Sequence, residues 1–424
     1  MAKTQQKQTS VDGYADMVKM IGAKSPKSEV FAPEKYTFRQ LADIYRFDGV
    51  GKNICNCVAD DGTAPGFEID GDTGGEALKL VISVGIRKAI RKAAKWTRAF
   101  GGSVVVKKIA DGRKLQEEAG KEGEIVGFNV YPCCVVSVDQ NDYDKDQTSA
   151  FYGEPIWYSI TMANGEKIKV HRTRCEIFQG EEVPFVGQEE VVEQSVRLFG
   201  DSALVPVMKR LNKLGISEEG ISDLMSEVNI AFMKLNGLDA KLSAKNGMQQ
   251  IRTRFQAIEE GKSMCRAIIG DTTEDVTILN SSLVGIPETT YRQMQLLVAA
   301  AGLPMAKIFG ESSSGLSTTG EGNRKMYDQK VETWRDDHLT DPVESLVSEV
   351  LARNASETKL SSITWNSVSQ PSDEEFVKMF KDQTDSFHTL IQDGVISPIQ
   401  ARTMMFKNGH TFRPSLPEED EGEE

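Results

Sequence analysis

Residues 310–320 read Gly-Glu-Ser-Ser-Ser-Gly-Leu-Ser-Thr-Thr-Gly, a run of hydroxyls and glycines able to make exchangeable contacts with phosphate oxygens or their water. Its glycine spacing matches a phosphate-binding P-loop. Leu316, however, takes the place of the lysine that would reach the β- and γ-phosphates, and a helical pattern precedes the run where a strand is required. Nucleotide binding fails on both counts. Asp142-Tyr-Asp-Lys-Asp146 opens like a calcium-binding EF-hand, but Gln147 replaces the turn glycine and Gly153 the bidentate glutamate. A hydrated acidic loop is the reading that remains. Cys55, Cys57, Cys133, Cys134, Cys175 and Cys265 form no CxxC pair, and the four histidines are scattered. They suggest neither a zinc site nor a disulfide framework, and no metal or cofactor is expected.

Two helices must position the hydroxyl run. The first starts at Pro287 with Glu288 in its opening turn, and Tyr291, Met294, Val298 and Ala301 recur at helical spacing. Gly302 and Pro304 form its stop signal. The second restarts near Asn323, with Tyr327, Val331, Trp334 and His338, then Val343, Leu346, Val347 and Val350, along one face; Pro342 predicts a kink. The plain reading of the loop is a surface connector. Its polar middle is Ser312, Ser313, Ser314, Gly315, Ser317, Thr318 and Thr319. The loop has no Lys or Arg of its own, and Lys307, Arg324 and Lys325 stand at its edges.

Upstream, residues 35–60 read as helix broken near Gly49 and Gly51, followed by a short strand at 66–71. One helix is expected over Glu76–Phe100. Its apolar residues turn inward, while Arg87, Lys88, Arg91, Lys92, Lys95 and Arg98 form a one-sided basic stripe. That stripe is either a solvated face or a contact with an acidic neighbour or DNA phosphates. Strands are expected at 103–109, 125–131 and 135–138, with a charged insert at 111–124. A hairpin follows over Ile156–His171, turning at Asn164-Gly165 in a type I′ geometry, and a further strand runs to Phe178. Helix, interrupted at Gly200 and Gly215, is expected over about Val191–Leu235. A small insert then carries a helix near 247–261 and strands at 267–270 and 276–279 around a turn at 271–275. After Asn354 come a strand at 363–368, a helix to about Gln392, and a last short helix capped by Ser397 with Pro398 at its first position.

The length of 424 residues allows two or three domains, and 39% hydrophobic content is ordinary for a chain with a sizeable core. No apolar run approaches the ~20 residues of a membrane span, and the polar first residues lack the apolar stretch of a secretory signal. The net charge of −13 argues against a protein that grips nucleic acid through its overall field, though not against one that lets DNA pass. Six carboxylates crowd into Pro417-Glu-Glu-Asp-Glu-Gly-Glu-Glu, which reads as a solvated end.

Two resemblances follow. His171-Arg-Thr173 and His338-Leu-Thr340 resemble the paired motifs of 2H-type phosphodiesterases, in which one histidine is general base and the other general acid. Only the first pair sits on an expected strand, and the second lies on the kinked helix. No nucleophile elbow, cysteine–histidine signature or carboxylate quartet accompanies them, so the chain is not expected to be an enzyme. The order helix, small α/β insert, helix, loop, kinked helix resembles the portal proteins of tailed bacteriophages. Its most specific part is Ala300-Ala-Gly-Leu-Pro-Met-Ala-Lys-Ile-Phe-Gly-Glu-Ser-Ser-Ser-Gly-Leu-Ser-Thr-Thr-Gly-Glu321, supported by Asp60-Asp61 leading to Gly66-Phe-Glu-Ile-Asp70 and by Val170-His-Arg-Thr-Arg174.

That resemblance implies an α+β portal-like fold. Residues 1–34 would be an N-terminal arm, 35–214 the first part of the wing, 215–235 a stem helix, 236–282 the clip and 283–303 the second stem helix. The tunnel loop would occupy 304–322, its residues from Ser312 to Thr319 facing DNA and Lys307, Arg324 and Lys325 biasing DNA toward the axis. Lacking Lys and Arg of its own, that loop cannot release counterions and bind DNA tightly. The rest of the wing would be 323–368, and a short crown with acidic tail 369–424. The implied function is a homo-oligomeric ring, normally of twelve subunits, at the capsid vertex of a virion. Double-stranded DNA would be packaged and ejected through its channel without sequence specificity. The implied partners are the terminase large subunit as motor, a head-tail adaptor, the major capsid protein and a scaffold, with assembly in the host cytoplasm and no membrane. Another head-tail connector protein of a virion is the runner-up.

Overall fold

In the computed structural model of the chain, the residues described are 36–72, 74–183, 198–227, 229–234, 249, 252–253, 256, 275–280, 285–310, 321–355, 362–369, 373–398 and 400–401. In chain order the first elements are α1 (Phe38–Phe47), α2 (Gly49–Thr63), β1 (Phe67–Ile69), α3 (Glu76–Ser83) and α4 (Ile86–Phe100). Strands β2 (Gly102–Ile109), β3 (Ile125–Pro132), β4 (Val136–Ser137), β5 (Trp157–Thr161), β6 (Lys167–His171) and β7 (Cys175–Gln179) follow. Then come α5 (Val205–Glu227), β8 (Asn229–Lys234), β9 (Asp275–Asn280), α6 (Ile286–Ala301) and α7 (Met305–Phe309). The last are α8 (Glu321–His338), α9 (Thr340–Asn354), β10 (Ile363–Trp365) and α10 (Asp373–Gln392). The class is α+β, with small antiparallel sheets, as the sequence pattern predicts.

These elements belong to two compact units. One comprises residues up to Asp48, Gly71–Ser202 and Asp341–Ser362; the other comprises Gly49–Asp70, Ala203–Thr340 and residues from Ile363 onward. In the first unit, β2 lies between β3 and β7, and α4 packs against this sheet. Val104, Val105 and Val106 of β2 and Ile90, Ala93 and Ala94 of α4 are all buried. The helix expected over Glu76–Phe100 is two helices, because Gly85 takes a left-handed conformation at φ +89° and ends the first of them.

The hairpin β5–β6 has the expected strands, but its turn is longer than a two-residue type I′ loop. Gly165 N donates to Met162 O at 2.9 Å and Met162 N to Glu166 O at 2.8 Å, leaving three residues in the turn. The charged insert after β2 is an ordered loop. Its carbonyls are claimed by Arg174 Nε on Glu117, Trp157 Nε1 on Gln116 and His171 N on Leu115.

In the second unit, β1 pairs with β10 and α5 packs along α6. Helix α5 begins at Val205, runs through Gly215 and gives way to a strand at Asn229, where continuing helix was expected. That strand pairs with β9 from Asn229↔Asn280 to Lys234↔Asp275. The expected partner of β9, residues 267–270, lies outside the described residues, as does most of 247–261. The expected kink is a break at Leu339, and Pro342 sits in the first turn of α9, where its missing N–H has no intrahelical partner to lose. Ser397 caps as predicted: Gln400 N donates to Ser397 Oγ at 3.3 Å, and Ser397 N donates to Gln400 Oε1 at 3.0 Å.

Candidate nucleic-acid interface

The seven loop residues Ser312, Ser313, Ser314, Gly315, Ser317, Thr318 and Thr319 lie outside the described residues. What the structure gives is the two feet of that segment, both in the second unit. On the entry side, α6 ends with Gly302 N donating to Val298 O at 2.8 Å. Lys330 of α8 places its ammonium 3.0 Å from Gly302 O, at the negative end of the α6 dipole. Leu303, Met305 and Ile308 are buried, and Asn53 of α2 donates to Ile308 O at 3.1 Å.

Lys307, in the last turn before Gly310, places Nζ 2.7 Å from Asp61 Oδ2. On the exit side, Tyr327 of α8 donates its hydroxyl to the same oxygen at 2.6 Å. Tyr327 is buried, and that burial, reinforced by Cys57 and Asp61, pushes its ionisation far up, so the phenol stays a donor. Lys307 Nζ also lies 5.0 Å from the Tyr327 ring centroid. One carboxylate of α2 therefore fastens the chain on both sides of the hydroxyl run. Further along α8, Val331 and Trp334 pack over Gly62, which holds the helix to α2.

The flanking cations consequently differ. Lys307 is engaged with Asp61 and is not an uncommitted charge for DNA. Arg324 is exposed, with Nε 3.8 Å from Asp328 Oδ2, and Lys325 is exposed. Asp61, Asn53, Tyr327 and Lys330 were not singled out as site residues by the sequence reading. One signal was present: Asp60 and Asp61 stand in the last turn of α2, where acids oppose the helix dipole and so call for a cation.

On α4, Arg87, Lys88, Arg91 and Lys92 are exposed and Lys95 is half-buried, whereas Arg98 departs from the stripe. Its side chain is only 7% exposed, with Nη1 4.0 Å from Glu181 Oε1, because the helix meets the β7 end there. Lys92 lies over Trp96 at 4.2 Å, and partial burial together with Lys88 lowers its pKa.

The remaining motifs are absorbed by local structure. His171 Nδ1 is 2.9 Å from Thr173 Oγ1, which accepts from Ala119 N at 3.0 Å; burial lowers the imidazole pKa. His338 ends α8 with its ring 5.5 Å from that of Trp334, and the two histidines belong to different units. Asp142 is buried and takes both its bonds from Lys169, at 3.0 and 2.8 Å, so the acidic loop is braced by a cation rather than merely hydrated. Among the described residues no group of His, Cys, Asp and Glu has the placement of a metal site, and no helix is long and apolar enough to cross a membrane.

Several known proteins are similar to this chain. The "Anti-CBASS protein Acb1" of Caulobacter sp. (strain RHG1) is 24% identical over 96% of this chain, which spans 68% of that protein's length. A chain of the virion of a native gene transfer agent (GTA) particle is 13% identical with a TM-score of 0.56, over 88% of this chain and 94% of that one. A chain of the neck of a native GTA particle, computed with C12 symmetry, is 12% identical with a TM-score of 0.55, over 93% and 99%. The last two likenesses show the fold. A family model described as "Phage portal protein" matches residues 39–389. The chain belongs to the phage portal protein family.

Proposed function

We propose that this protein assembles into a ring, normally of twelve subunits, whose central channel passes double-stranded DNA into and out of a capsid. The observation that carries the reading is the family match over residues 39–389, which spans a hydroxyl-rich, cation-free loop with both ends fastened to one carboxylate. The C12 symmetry used for the similar GTA neck chain supports the subunit number. In this reading the tunnel loop is 304–322, with residues from Ser312 to Thr319 facing DNA, the clip is 236–282, and 369–424 form a short crown with an acidic tail. The clip would dock the terminase large subunit during packaging and a head-tail adaptor afterwards, within a shell of major capsid protein. The protein would carry no catalytic group. His171 is committed to Thr173, and its His-x-Thr pair serves the turn between β6 and β7.

A surface that must let DNA slide is served by weak, exchangeable contacts, and strong ion pairs would hinder it. Negative-stain images of the purified protein test the ring: closed rings with a central hole are expected, and compact monomers at all concentrations would overturn it. A virion connector of another kind would form particles with no channel wide enough for a duplex.

A further inference from the structure

We infer that Asp61 is a positioning residue, a latch on which the two stretches flanking 311–320, the feet at 303–310 and 322–331, both close. Its meaning for DNA passage rests on the proposed function; the latch itself does not. Lys307 precedes the segment and Tyr327 follows it, yet both close on Asp61 Oδ2, at 2.7 and 2.6 Å. The two contacts differ in kind. Lys307 and Asp61 are 44% and 31% exposed, so their attraction is screened, whereas the Tyr327 hydroxyl approaches from a buried ring. Asn53 on Ile308 O steadies the entry foot from α2, and Lys330 of α8 holds Gly302 O on the entry side. The Lys330 bond and the Lys307–Tyr327 ring contact join the feet to each other, and Asp61 ties both of them to α2. A displacement of either foot is therefore felt in α2 through one carboxylate.

Hydrogen exchange on the purified full chain tests this, read in peptides covering 303–310 and 322–331. Asp61→Ala is expected to speed exchange at both feet by about three- to tenfold, the range for losing one charge-assisted contact at each. Exchange in β2 and α9 of the other unit should stay unchanged. Lys307→Met should loosen mainly the entry foot and Tyr327→Phe mainly the exit foot. If Asp61→Ala does not fold, the Lys307→Met/Tyr327→Phe double variant should loosen both feet. Loosening of only one foot by Asp61→Ala, equal loosening throughout the chain, or no change in the double variant would overturn the latch. Since no ring or DNA enters the measurement, its failure leaves the portal reading standing, and failure to form rings leaves the latch standing.

Discussion

Arg174 is buried to its guanidinium, with Nη2 2.6 Å from Asp111 Oδ2 and Nε donating to Glu117 O at 2.9 Å. Asp111 also accepts from Gly120 N and Arg113 N. Desolvation works to raise the Asp111 pKa, but the Arg174 hydrogen bond, the two backbone donors and the guanidinium charge outweigh it and hold the carboxyl well below the usual range. A depressed carboxylate contributes stability that is complete above its unfolded pKa of about 3.9 and is lost as pH falls toward the folded value. Asp111→Asn is therefore expected to cost about 3–5 kcal/mol at neutral pH, as for a buried pair broken on one side. It should also remove part of the stability loss below about pH 4, both read by urea unfolding across pH. Cys175 is a second residue-scale case. Burial pushes its thiol up to about 12, so alkylation in the native protein at pH 8 should be slower than in urea by more than about a hundredfold.

At the scale of elements, the close approach at Gly101 is the point where α4 turns into β2. Gly101 adopts φ +91°, and a Cβ there would lie 2.5 Å from Gly200 O and 2.9 Å from the Asp201 carbonyl carbon. Both obstacles are backbone and cannot swing aside. Gly101→Ala should destabilise by about 2–4 kcal/mol, combining left-handed strain with a forced backbone shift. Pro342→Ala should change stability by less than about 1 kcal/mol, because the break at Leu339 does not depend on the ring; circular dichroism and thermal melts check both variants.

Local signals made much of this legible. Gly302 and Pro304 end α6, the Ser397 box opens the last turn, and the alternation of Trp157–Thr161 and Lys167–His171 gives the hairpin. Other features depended on partners distant in sequence. Nothing near Asn229 announces a strand, because its ladder is with residues 275–280 and the preceding twenty-three residues are helix. Arg98 reads as one more cation on a stripe until Glu181 and the β7 end enclose it. Asp61 acts on residues 246 and 266 positions away, so only its misfit with the helix dipole hinted at a role.

For the whole molecule, the division of charge follows from these anchors. The chain carries a net −13, the hydroxyl run has no cation, and Lys307 beside it is matched by Asp61. A channel lined this way would hold DNA weakly, with little dependence on salt. Replacing Ser312, Ser313 and Ser314 by lysines should slow or stall translocation in a reconstituted packaging assay and make the stall ease as salt rises. Packaging at the native rate in that variant would count against these residues facing DNA.

The shared anchorage of the two feet also sets a length. Ten residues fully extended measure at most about 36 Å, and a strand doubled back between two neighbouring moorings can project at most about half of that. Whatever aperture such spans bound in a closed ring is therefore limited by contour before it is limited by chemistry. Each pair of residues removed from 311–320 would shorten the projection by about 3.6 Å, and each pair added would lengthen it equally. Were 311–320 to line a channel as proposed, insertions or deletions there would be read by the duplex as a change of bore.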